Sequence, residues 1–432
     1  MRRSGPKTPS GYGLYDYDQG LGNRNRKRRG APCGCVVLVF MLLAVAIVLL
    51  ARVAPWLLEE AARKMGNVEL GPTIASIIEP EDEERQARLR ELASKQDGLG
   101  YASLSDAQKD VYVQLLDGVT VLEPILDVKD AAIEDMEPAY HAMMVDHPEL
   151  FWVDGSTHYT YFEGGGPITV TPGLSLPLAQ VDEVRERIEA TADAFLATLP
   201  EDADDYVIAK AAYEYIIDTT DYDASATQNQ NIQSVFIGHA SVCAGYSRGY
   251  QYLLDRAGVY CSYVEGSIPS RGEDHAWNLV RISGEYTYVD VTWGDPAYPG
   301  AEENNIPNEI SYDYLCVTTD ELLRDDHQFI NENMWPTCDS MHYDYYRLAG
   351  RLYDAFDEGM LSASFWDQYN AGGASVSFKF TNDDAYVVAR DSLVAGRLLS
   401  QDIQYLFEQL GKAGSSYSYV YVDSLRILKI YV

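Results

Sequence analysis

Basic residues are scarce over most of this chain. The whole sequence carries a formal charge of −33, its first 34 residues carry +6, and everything after them is therefore −39, from 25 Lys/Arg against 64 Asp/Glu. Such a surface repels nucleic acid and other polyanions, which removes nucleic-acid work from consideration. It suits cationic partners such as Lys-rich peptides, or loose Ca²⁺ association, and it also serves simply as a solubilising coat. The acidic runs at 79–84 and 201–205 lack the spacing of a dedicated calcium loop, so no cofactor and no metal site are expected. Cysteine is sparse too. Cys33 and Cys35 have no second cluster to complete a metal clip, and with Cys243 kept free, Cys261, Cys316 and Cys338 can form at most one disulfide, with Cys316–Cys338 the candidate. A lipoprotein signal is lacking, because Cys33 and Cys35 precede the apolar run instead of following it. No internal repeat is present.

Long hydrophobic runs are limited to one. Val36 to Ala51 is unbroken, and Arg2, Arg3, Lys7, Arg24, Arg26, Lys27, Arg28 and Arg29 precede it against only Asp16 and Asp18. At 1.5 Å per residue the run spans about 24 Å, and Cys35 and a snorkelling Arg52 extend it to about 27 Å, slightly short of a bilayer core. The basic flank predicts a cytoplasmic N-terminus and an extracytoplasmic bulk, on a single-pass anchor in the cell membrane. A cleaved signal peptide is the rival reading, with small-residue sites at Ala44-Val45-Ala46 and Val53-Ala54; the long charged leader favours the uncleaved anchor.

The chemistry sits in one 48-residue window, where Cys243, His275 and Asp290 follow in order. A thiol, an imidazole and a carboxylate are an attacker, a general base and a group that orients the base. His275–Ile282 and Glu285–Thr292 are strand-forming runs around Ser283-Gly284, a two-residue hairpin signal. That register sets Asp290 opposite Trp277 and His275 opposite Thr292, so His275 and Asp290 share a face as diagonal neighbours. A three-residue loop would separate them. Tyr246, Tyr250, Leu253 and Leu254 recur at helical spacing before Gly258, and Ser241 is expected as the N-cap, which puts Cys243 in the first turn. Free N–H groups and the helix dipole there favour a thiolate and can hold an oxyanion. Tyr246, Trp277 and Trp293 are candidate substrate-groove residues, with core packing the competing role. Gln233 is a candidate side-chain donor to the oxyanion. His239 reads as a loop residue.

The motifs Tyr222-Asp223, Val242-Cys243-Ala244-Gly245-Tyr246, His275-Ala276-Trp277-Asn278 and Asp290-Val291-Thr292-Trp293 together resemble the transglutaminase-like superfamily of papain-like cysteine enzymes, in its bacterial extracytoplasmic branch. Tyr314–Thr318, Asp326-His327 and His147–Trp152 add looser support, and the resemblance covers roughly residues 100–330. It implies that Cys243 attacks a carbonyl, His275 moves the proton and Asp290 orients His275, with the acyl group passing to an amine or to water. Papain separates its Cys and His by over a hundred residues, and small cell-wall peptidases usually use a second His as third polar group, so the compact Cys-His-Asp spacing favours the transglutaminase-like reading.

The expected fold class is α+β. A papain-like/transglutaminase-like core, with a Cys-bearing helix on an antiparallel sheet carrying His and Asp, follows a transmembrane helix and a helical region and precedes a small α/β domain. The expected order is a basic cytoplasmic tail (1–34), transmembrane helix (35–54), stalk (55–99), helical and β-hairpin region (100–176), catalytic core (177–335) and accessory domain (336–432). Helices are expected at 178–198, 204–218, 343–358, 383–397 and 400–411, with strands at 158–162, 168–171, 375–380, 417–423 and 427–432. Expected partners are a protein or peptide substrate, carrying cell-wall association in one version, and the membrane through the N-terminal helix. Hydrolysis is favoured over crosslinking because nothing marks an amine-acceptor site. The alternative is an inactive surface module that binds peptide or cell-wall material.

Overall fold

A computed structural model describes residues 72–162, 165–296, 309–372, 375–411 and 417–431. The expected basic tail, the apolar run and the start of the stalk lie outside them. Among the described residues no helix is long and apolar enough to cross a membrane.

The fold is a mixed α+β arrangement built on mainly antiparallel sheets. The helix Pro72–Ser94 occupies the second half of the expected stalk, yet it does not stand free. Leu89, Leu92 and Ala93 pack on the main core, and the Arg88 guanidinium donates to the buried Asp117 carboxylate at 2.8 Å. Asp106–Thr120 and Ile133–Asp146 follow; Ser105 and Gln108 close a reciprocal capping box on the first of them. Strands β1 (Leu126–Val128), β2 (Val153–Thr160) and β3 (Ile168–Leu174) form a small sheet in the order β1-β3-β2. Helices Val181–Leu196 and Asp205–Thr219 come next, and the second buries Ala209, Ala212, Tyr213, Ile216 and Ile217, the apolar stripe expected from its spacing.

The central element is a five-stranded antiparallel sheet, after the short parallel pair β4 (Asp221–Tyr222) and β5 (Ala240–Ser241). Its strands are β6 (Cys261–Ile268), β7 (Glu273–Ile282), β8 (Glu285–Val289), β9 (Leu315–Val317) and β10 (Gln328–Phe329), in the order β10-β6-β7-β8-β9. The hairpin β7–β8 has the expected register, with Asn278 opposite Val289 and Ile282 opposite Glu285. Ser283 and Gly284 both have positive φ, +49° and +91°, as a type I′ turn requires. The helix Cys243–Ala257 packs on this sheet through Tyr246, Tyr250, Leu253 and Leu254, all fully buried. Each such side chain contributes about 1.5–3 kcal/mol.

The last part has its own core of Phe365, Phe378, Phe380, Tyr386, Leu393, Leu428 and Ile430. Its sheet, β11 (Leu352–Tyr353), β12 (Ser375–Phe380), β13 (Ser418–Val422) and β14 (Ile427–Tyr431), runs in the order β11-β12-β14-β13. The helix expected at 343–358 is instead a single turn, Tyr345–Leu348, stopped by Gly350 at φ +69°, and the long helix is Glu358–Asn370, capped by Asp357. Among the described residues several ionic links join this part to the rest, two of them through lysines of β12 and β14. Lys379 is fully buried and touches Glu321 and Asp344 at 2.6 Å each, and Lys429 meets Asp313 at 2.8 Å. The Cys316–Cys338 disulfide is not formed: Cys243, Cys261, Cys316 and Cys338 are all free, and Cys316 and Cys338 belong to different clusters of the core.

Candidate active site

Cys243 opens its helix at the first position, where the backbone N–H groups have no carbonyl one turn earlier to bond. The first helical bond runs from Tyr246 N to Val242 O, at 3.0 Å. The N-cap is therefore Val242, not Ser241. Ser241 lies in β5, and its hydroxyl is spent on Asn229 O and Ser234 Oγ, at 2.9 and 2.7 Å. Two buried bonds fix the helix to β7: Ser247 Oγ donates to Ala276 O at 3.0 Å, and Asn278 Nδ2 donates to Ser247 O at 3.0 Å. They set the thiol against the strand that carries His275.

His275 projects from β7 into the interior, and its Nε2 is 2.6 Å from Asp290 Oδ2. The Cys243 side chain lies within hydrogen-bonding reach of the same imidazole. With Nε2 taken by the carboxylate, Nδ1 is the nitrogen left for the thiol. Asp290 sits one residue past the end of β8. Its N–H donates to Tyr314 O at 3.1 Å, while its Oδ1 accepts from Trp293 N at 3.1 Å, an Asx-type turn that aims the other oxygen at His275. Burial alone would push the His275 imidazole down; the Asp290 charge and hydrogen bond, joined by Cys243, outweigh it and raise the group well above its ordinary value. Burial likewise opposes ionisation of Asp290, and His275 and His327 together hold it below the usual carboxylate range.

His327 was not assigned a role from sequence. Fully buried, it places Nε2 3.2 Å from Asp290 Oδ2 and Nδ1 3.2 Å from Asp325 O. The motif Asp326-His327 was visible, but its partner lies 37 positions away across a sheet edge, and spacing alone gives no sign of that. His275, Asp290 and His327 offer three ligand-type atoms within 4.8 Å of one another. Two of those atoms are only 2.6 Å apart, a hydrogen-bond separation; two ligands of one zinc ion sit about 3 Å apart or more. The cluster is thus already satisfied by hydrogen bonds.

Two of the three aromatics expected in a substrate groove belong to the core. Tyr246 is fully buried, its hydroxyl within hydrogen-bond distance of both Thr220 O and Asp295 Oδ2, at 2.5 Å. Trp277 is fully buried as well, in the cluster it shares with Val264, Leu279, Tyr288, Val317 and Leu322, and it packs on Phe329 and His327 with ring centres 5.0 Å away. Trp293 keeps part of its surface, lying 5.5 Å from the His275 ring with the Arg271 guanidinium 4.9 Å over its own. Gln233 heads the π-turn Ser234–Gly238; its Oε1 is buried without a hydrogen-bond partner among the described residues, and nothing ties it to Cys243. The apolar surroundings of Cys243 are instead Val242, Ala244, Tyr263, Ala276, Tyr222, Met334 and Trp335. Met334 and Trp335 arrive from a short 3₁₀ turn about ninety residues later, which local pattern could not reveal.

No family model matches the chain. Over 100 residues it is 29% identical to the kyphoscoliosis peptidase of Homo sapiens, and equally to that of Mus musculus, a stretch covering 20% of this chain and 15% of each relative. The chain thus spans well under a quarter of the length of these curated relatives. Among solved structures it is similar to a TGase (13% identity, TM-score 0.24, covering 32% of this chain and 44% of that one). It is also similar to a candidate cysteine protease from Cytophaga hutchinsonii (11%, TM-score 0.22, 32% and 61%) and a candidate protease from Parabacteroides distasonis (10%, TM-score 0.20, 30% and 29%).

Proposed function

We propose that this protein is a cysteine enzyme of transglutaminase-like type that cleaves or transfers amide-linked acyl groups of protein or peptide. The observation that carries the reading is the placement of His275 between the Cys243 thiol and the buried Asp290 carboxylate. The thiol proton passes to His275 Nδ1, leaving a thiolate beside an imidazolium that Asp290 holds through Nε2. The sulfur attacks the substrate carbonyl carbon, and the oxyanion faces the unbonded N–H groups of the helix start. Nδ1–H then protonates the departing amine and a thioester remains. Water, or a second amine, adds to that thioester and gives a proton to Nδ1; the C–S bond then breaks, the acyl product leaves, and the Cys243 sulfur returns as thiolate beside the imidazolium. Hydrolysis is favoured, since nothing in the sequence marks a seat for an acceptor amine. The basic leader and apolar run support display of the enzyme outside the cytoplasm on a single N-terminal anchor.

The test is the pH dependence of Cys243 alkylation by iodoacetamide in the full chain, followed by peptide mapping, beside His275→Ala. An unassisted thiol titrates near ~8.5. Rapid labelling at about pH 6 that collapses at least tenfold in His275→Ala supports an activated nucleophile. Slow labelling that ignores the substitution removes the enzyme and leaves a peptide-binding module.

A further inference from the structure

We infer that Ser424, in the turn between β13 and β14, is a positioning residue for Asp290, acting through a carboxylate bridge from Ser424 to Asp325 to Tyr314. The inference rests on the reading of Cys243 and His275 given above. Asp290 stands one residue past the end of β8, so no strand ladder fixes its backbone. Its N–H is held instead by Tyr314 O, at 3.1 Å. Tyr314 is itself a loop residue, one position before β9, and its place depends on what its side chain touches. The ring meets Trp293 edge-on with centres 5.1 Å apart, and the hydroxyl donates to Asp325 Oδ2 at 2.6 Å. The other oxygen of that carboxylate, Oδ1, accepts from Ser424 Oγ. One planar group thus spaces two hydroxyls, one from the central fold and one from the C-terminal part.

The residues Asp325, Asp326 and His327 each grip a different element around Asp290. Asp325 joins Tyr314 to the C-terminal turn, and Asp326 accepts from Ser270 N in the turn between β6 and β7 at 2.6 Å. His327 brings its Nε2 to 3.2 Å from Asp290 Oδ2. The C-terminal turn is seated firmly against this connection. Leu425 is fully buried in a cluster with Tyr314, Tyr346 and Ile427, and Trp293, 5.5 Å from the His275 ring, packs against the same cluster. Alongside, Arg324 and Arg426 donate to one oxygen of Asp383, at 2.9 and 2.6 Å. Apolar burial resists separation of the two parts but has no direction; the hydrogen-bonded carboxylate has one, and it aims the residue that carries the Asp290 anchor. The C-terminal part is by this reading a working wall of the site.

Ser424→Ala and Tyr314→Phe cut the two ends of the bridge and keep every ring and backbone group. In the full chain each is expected to slow iodoacetamide labelling of Cys243 at about pH 6 by about three- to tenfold, the factor that one lost hydrogen bond corresponds to. Labelling at about pH 9, where an unassisted thiol ionises, should stay within about twofold. The double variant is expected to be no slower than the slower single, because a bridge cut once is already open. Ser424→Thr returns the hydroxyl and should restore the rate. If Tyr314→Phe does not fold, Ser424→Ala and its threonine rescue decide alone. A Ser424→Ala profile superposed on the wild type, with or without a lower urea midpoint, overturns the inference and leaves the C-terminal part merely docked. Single effects that multiply in the double variant overturn it too. The enzyme reading survives either result. A wild-type profile already indifferent to His275→Ala removes the enzyme reading and this inference together.

Discussion

Asp290 carries the heaviest electrostatic duty of any residue near the site, since one of its oxygens accepts from two imidazoles and the other from a backbone N–H. Asp290→Asn preserves the shape and removes the charge that raises His275. Turnover of a peptide substrate is expected to fall by at least about a hundredfold, by analogy with other triads that lose their orienting carboxylate. The sign of the pH effect on stability follows from the two shifts. The raised His275 contributes stability that is full below about 6.5 and fades as pH climbs to about 10, where the folded group loses its proton. The lowered Asp290 contributes above about 3.9 and fades as pH falls below that. The difference in urea midpoint between wild type and Asp290→Asn should therefore be largest between about pH 4 and 6.5 and shrink towards pH 10. His275 and Asp290 were legible in the sequence because a hairpin register is a local property, and Cys243 because a helix start is one too. His327 stayed hidden because its meeting with Asp290 is made by tertiary packing.

Elements place these residues, and one glycine shows how tightly. Gly266 on β6 pairs with both His275 on β7 and Phe329 on β10. A Cβ there would lie 2.2 Å from the Trp277 ring and 2.3 Å from Gln328 O, too close for either backbone or indole to yield. Gly266→Ala should cost about 1–3 kcal/mol, read by urea denaturation, and loosen β10, whose preceding residue is His327. The amphipathic helices and the Ser283-Gly284 turn were legible because periodicity and turn chemistry dictate them. Strand ends were less so: β8 was expected to reach Thr292 but stops at Val289, because Asp290 spends its groups on Tyr314 and Trp293 instead of on a ladder. Buried indoles gave the opposite error at Trp277, since an aromatic beside a catalytic candidate reads the same in sequence whether it faces solvent or core.

At the scale of the molecule, the C-terminal part is held by charge placed where water is excluded. Lys379 on β12 sits between Glu321 and Asp344, and burial, which lowers its affinity for a proton, is outweighed by the two carboxylates. Lys379→Met leaves two buried carboxylates unpaired and should destabilise the chain by about 3–5 kcal/mol, with calorimetry showing the C-terminal part melting separately. Adding Glu321→Gln and Asp344→Asn should recover much of the loss. Neither link was legible beforehand, since a lone Lys in a strand gives no sign of partners 35 and 58 positions earlier. The unpaired thiols carry a last consequence. Cys261, Cys316 and Cys338 are buried, and burial pushes each thiol up, whereas Cys243 retains access to solvent. Within the described residues a native protein therefore offers a disulfide reagent one fast equivalent. A mild oxidant would modify such a protein reversibly, at a single sulfur, without disturbing its fold.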